Sequence, residues 1–127
     1  MQDRQLFEYA VIRVVPKVER EEFLNVGIIL YCRDRCFLGT KFTVDERKLK
    51  TLSEKLDIEE VRKHLQAFRQ ICAGDPSGGP IALLDIAARF RWLTATRSTV
   101  VQASRVHPGL CLDPQETLDE LHRAMVL

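Results

Sequence analysis

FEYAVIRVVPKVEREEFLNVGIILYCRDRCFLGTKF, residues Phe7 to Phe42, decides the fold of this chain. Its first nine residues are β-branched, aromatic and aliphatic apart from Glu8 and Arg13, the composition of a strand. With a period of two, Phe7, Tyr9, Val11, Arg13 and Val15 share one face, and Ala10, Ile12 and Val14 share the other with Glu8. Both faces are largely apolar, which predicts a strand covered on both sides. Arg13 then stands in an expensive place unless an acid or a ligand meets it. Pro16 has no amide hydrogen and ends the strand. Residues 17–24, KVEREEFL, make a charged connection, and NVGIILYC gives a second strand. Gly27 within that strand predicts a bulge or a close backbone approach. Arg33, Asp34 and Arg35 form a polar turn, and Cys36 to Phe42 return as a third strand in a hairpin with the second.

Outward from this stretch the periodicity becomes helical. Asp45 is placed to cap a short helix with Leu49, Leu52 and Leu56 inward. Asp57 begins a second, with Ile58, Val61, Leu65, Phe68 and Cys72 at helical spacing and Gly74 at its end. DPSGGP is a loop. Residues 80–93 read as one further helix with Pro80 in its first turn. STVVQASRV returns to strand character and gives a fourth strand near Ser98–Ser104. HPGLCL reads as a loop, and Asp113 with Pro114 opens a last helix. The expected fold is therefore α+β in one domain, residues 1–127. It is a four-stranded, mainly antiparallel sheet with helices packed chiefly on one face, the helices near 58–73 and 114–126 supplying most of the cover.

Bulk properties exclude some classes. The chain has 127 residues, 46% of them hydrophobic and 29% charged, with a net charge of +1. That balance suits a globular domain and gives no global field toward nucleic acid or anionic lipid. The apolar runs are too short for a membrane span. The opening MQDRQLFEYA is polar and unlike a signal peptide, so a cytoplasmic location is expected, with its four cysteines as free thiols.

Three constellations bear on function. From Ile86 to Leu112 there is no acidic residue, and RFRWLTATRST interleaves Arg89, Arg91 and Arg97 with Phe90 and Trp92. Arginine forks beside hydroxyls suit anionic oxygens, and an exposed aromatic could stack a base. The plainer reading buries both aromatics and pairs the arginines with Glu19, Glu21, Glu22 or Asp85. Arg13, Glu22, Asn25 and His107 could make an acid/base site or a structural ion-pair network, and no spacing rule links them. Cys32 and Cys36 with His107 and Cys111 lack the two-residue knuckle of a zinc site, so no metal is expected. There is no phosphate-binding glycine loop, dinucleotide fingerprint, HExxH or nucleophile elbow, so no cofactor is expected and the reading tilts away from an enzyme.

The chain resembles the bacterial domain-of-unknown-function family 3037. The resemblance rests on the opening FEYAVIRVVPKVEREEFLNVGIILYC, on LGTKF followed by Asp45 and Leu49, and on RFRWLTATRSTVVQASRVHPGLCLDP. The family's pattern falls here on polar residues in separate segments: Arg13, Glu22, Asn25, Arg97, Ser98 and His107. The resemblance implies no catalytic role, since the family has no established activity. It does imply an accessory role beside a partner protein, because genes of the family often neighbour those of HipA-like kinase proteins. The six polar residues are accordingly expected to converge at one sheet edge. There Arg13 and Arg97 would supply charge, Asn25 and Ser98 hydrogen bonds, and Glu22 the orientation of an arginine. A small enzyme acting on a phosphorylated or carboxylated substrate, with His107 and Glu22 as acid and base, is the second reading. Nucleic-acid binding through residues 89–105 is the third. A homodimer closing an apolar sheet face is a further expectation.

Overall fold

The computed structural model describes residues 3–17, 20–97 and 99–127. Its architecture is α+β, built on a mainly antiparallel five-stranded sheet. Strand β1 (Gln5–Val14) pairs with β2 (Leu24–Cys32), which pairs in turn with β3 (Phe37–Phe42). The other side of β1 is taken by two short strands end to end, β4 (Val101–Ala103) beside Ile12–Val14 and β5 (His107–Cys111) beside Gln5–Tyr9. The fifth strand is HPGLC, the segment expected to be a loop. Its Pro108 and Gly109 carry turn character, but an edge strand tolerates proline. Gly109 also leaves room for the Phe7 ring, which would lie 2.5 Å from a β-carbon there.

The break between β4 and β5 falls opposite Val11. There Ser104 donates its N–H to the Val11 carbonyl at 2.8 Å and accepts the Val11 N–H on its hydroxyl at 2.9 Å. A side-chain oxygen thus replaces a main-chain carbonyl in the ladder, and Val11 keeps a partner for both its N–H and its carbonyl.

Helices cover both faces unequally. Helix α1 (Glu46–Leu52), α2 (Ile58–Ala73) and α3 (Ile86–Leu93) lie on one side, where Leu49, Val61, Leu65, Phe90 and Leu93 close over Ala10, Ile12, Val14 and Ile29. Helix α4 (Pro114–Met125) lies on the other, where Leu118 packs with Phe7, Val11, Ile28 and Leu30. The helices expected to share the work of covering the sheet, α2 and α4, therefore sit on opposite faces. Caps follow the sequence: Asp45, Asp57 and Asp113 each accept an N–H of the first turn, and Gly74 ends α2 at φ 72°. The helix expected over residues 80–93 is two pieces. A 3-10 turn at Pro80–Leu83 stops at Leu84, and Asp85 starts α3 afresh by accepting the Ala88 N–H.

Gly27 meets both expectations set by its position. The β1–β2 register slips between Ile12 and Arg13, so that Val26 is the extra residue of a bulge. A β-carbon at Gly27 would also overlap the Phe42 ring and come within 2.8 Å of the Lys41 carbonyl. Gly27→Ala is therefore expected to destabilise the protein by about 1–3 kcal/mol, through overpacking. Urea denaturation should show a lower midpoint with unchanged slope.

Three polar links at successive turns tie α4 down. Asp119 pairs with Lys41 at 3.2 Å, His122 Nε2 meets Thr43 Oγ1 at 2.8 Å, and the Met125 carbonyl accepts from Asn25 at 3.1 Å. The His122 side chain is buried, and its Nδ1 has no partner among the described residues. Burial, with Lys41 and Arg123 nearby and only Asp119 opposing, pushes its pKa below the ordinary 6.5. The unfolded chain then takes up this proton before the folded one, so stability is complete above about pH 6.5 and falls as the pH drops below it. Unfolding free energies at pH 7.5 and 5.5 should differ less for His122→Gln than for the natural protein.

Candidate functional site

A single α-helix is about 10 Å across and strands are about 4.8 Å apart, so one helix covers roughly two strands. Helix α4 packs over β2 and β3. The part of that face formed by β1, β4 and β5 is left half open: Tyr9, Arg13, Gln102 and His107 are half-buried there, while Phe7 and Val11 reach under α4. Strand pairing puts them in register, with Tyr9 opposite His107 and Arg13 opposite both Gln102 and Asn25.

Arg13 is the centre of this surface. It shares its face with Phe7 and Val11, both buried. Its guanidinium lies over the Phe23 ring, with Cζ 4.1 Å from the ring centroid, a cation–π contact. Its Nε is buried and has no hydrogen-bond partner among the described residues. Beside it, Asn25 donates to the Met125 carbonyl, which fixes the orientation of the amide, and Asn25 Oδ1 is likewise buried and unpartnered. Phe23 is 46% exposed, a large aromatic surface to leave in water. Glu21 lines the same depression from a left-handed backbone, φ 55°. At the other end of the face the Tyr9 and His107 rings lie 5.4 Å apart.

Not every residue expected at one edge is there. Arg13 and Asn25 are cross-strand neighbours, and His107 shares their face. However, His107 pairs with Tyr9, four residues and about 13 Å along β1 from Arg13. Glu22 is exposed and pairs with Arg20, so it orients neither expected arginine. Arg97 lies on the opposite layer, folded back on α3, where it donates to the Trp92 carbonyl and lies 4.2 Å from the indole centroid. Ser98 lies outside the described residues. Topology explains the split. The chain leaving α3 reaches the sheet through β4, so residue 97 stays with the helices, and Glu22 belongs to the loop before β2. Phe23 and Gln102 are the site residues that sequence reasoning missed. A large aromatic ending a run of charges was the available signal for Phe23; Gln102, mid-strand, gave none.

The plainer reading of the basic stretch holds for Phe90, which is fully buried, while Trp92 is 41% exposed. Arg91 forms a two-pronged pair with Glu8, at 2.8 and 2.9 Å, and not with Glu21, Glu22 or Asp85; Glu19 lies outside the described residues. Chemically, the open face offers a cation, amides and aromatic edges. Glu21 adds a carboxylate at one end, and among the described residues this face holds no assembled nucleophile and base.

A family model described as "Protein of unknown function (DUF3037)" matches residues 9–126, nearly the whole chain. No curated protein and no solved structure matches it.

Proposed function

Because the chain belongs to the DUF3037 family, whose function is unknown, its role has to be read from its own surface, and we propose that it is a binding module. In this reading a partner protein covers the half of the sheet face that α4 leaves open, with Arg13 at the centre of the contact. The observation that carries the reading is the state of Arg13. It is a cation on an otherwise apolar strand face, held against a half-exposed phenylalanine, with a buried Nε that has no partner among the described residues. A group in that state lowers the stability of the free protein and gains when an acceptor arrives. Phe23 lies against Arg13 and Tyr9 stands farther along the same face, and exposed aromatic surface of this kind is favoured at the core of protein interfaces. The first candidate partner in this reading is a HipA-like kinase protein, the one that the family resemblance implies.

Arg13→Met separates binding from folding. It keeps the aliphatic stem and removes the unsatisfied donor, so thermal stability should stay level or rise. Affinity for the purified kinase protein, measured by calorimetry, should fall at least tenfold. Unchanged affinity in the folded variant would overturn the reading.

A further inference from the structure

A second cleft lies between α2, α3 and β4, on the opposite layer of the molecule, and plays no part in the reading above. Its volume is about 220 Å3. The floor is hydrocarbon: Phe68 and Ile71 from α2, Leu93 from α3 and Val101 from β4. Trp92 forms one wall and keeps 41% of its surface in solvent. The lip is polar and basic. Arg97 lies over the indole, and His64 and Thr99 stand with it. None of the described lining residues is acidic. Glu60, one turn before His64 on α2, stands 3.8 Å from His64 Nε2 and is directed to that ring.

The guanidinium of Arg97 is placed but not used up. Its two Nη atoms reach the Trp92 and Leu93 carbonyls at the end of α3, the second only at 3.5 Å. A guanidinium has five N–H donors, so most of its capacity is left for an acceptor at the lip. Those carbonyls and the stacked indole hold the group in place before any ligand arrives, which lowers the entropy lost on binding.

We propose that this cleft is a binding site for a carboxylate carrying a short hydrocarbon tail. The tail lies on the Phe68–Leu93 floor against Trp92, and the carboxylate accepts from Arg97. The lining argues against the alternatives. A cation meets Arg97 and no acid. Inorganic phosphate satisfies Arg97 but leaves the apolar floor bare. A neutral hydrocarbon fills the floor but leaves the guanidinium without an acceptor. Such a carboxylate is supplied either by a free acid or by the C-terminal residue of a polypeptide.

Trp92 is the only tryptophan in the chain, so its emission reports this cleft alone. The test titrates the protein at pH 7.5 with 3-phenylpropionate and with 3-phenylpropan-1-ol, its uncharged counterpart. The acid should change Trp92 emission saturably, and the alcohol should bind at least tenfold more weakly. Arg97→Met should remove the preference for the acid. If that variant does not fold, Ala67→Leu, which narrows the mouth while leaving Arg97 intact, should weaken acid binding about tenfold. N-acetyl-glycyl-phenylalanine and its C-terminal amide separate the two sources. A response to the peptide acid and not to its amide assigns the site to a chain terminus, and a response to 3-phenylpropionate alone assigns it to a free acid. No saturable change with either acid, or equal affinity for acid and alcohol, would overturn the proposal.

Discussion

The molecule is organised by one requirement, that β1 must be satisfied on four sides at once. It is hydrogen-bonded to β2 along one margin and to β4 and β5 along the other, with apolar cores above and below. A strand in that position has no water to fall back on, so each main-chain group needs a protein partner. The requirement is hardest at Val11, where the neighbouring strand changes course. One serine hydroxyl meets it there, at Ser104, and lets β4 and β5 pair with successive parts of a single neighbour. Losing that oxygen would strand a buried donor, a penalty of about 1–3 kcal/mol.

Much of this was legible in the sequence because the physics is local. Alternation over Phe7–Val15, the Gly27 bulge and the aspartate caps each depend on a few neighbouring residues. What was not legible depends on contacts between distant segments. His107–Cys111 reads as a loop in isolation and becomes a strand only because β1 offers it a margin. Asp85 restarts a helix that the apolar periodicity alone would carry unbroken from Pro80. That α4 crosses to the other face cannot be deduced from its own amphipathic pattern, which states that it has a buried side but not which sheet face that side meets.

The candidate site divides along the same line. Arg13 stood out because a charge on an apolar strand needs an explanation wherever that strand lies. Asn25 joins it through β1–β2 pairing, which the hairpin order implies. Arg97 and Glu22 could not be placed this way, since their positions depend on how two irregular connections leave the layers. The unequal helix cover then has a chemical result. The side with three helices buries Phe90 and forms an indole-walled cleft between helices, while the side with one helix leaves a broad, shallow face. The two surfaces differ in shape and share no described lining residue.

Pro108 and the interruption at Ser104 have a further effect at the margin of the open face. An uninterrupted outer strand would be a template on which a foreign chain could continue the sheet, the route by which β proteins polymerise. Here that margin is two short pieces separated at Ser104, one lacking an amide hydrogen at its second residue. Whatever associates with this side of the protein must therefore settle over the face, and the molecule is guarded against growing into fibrils from that rim.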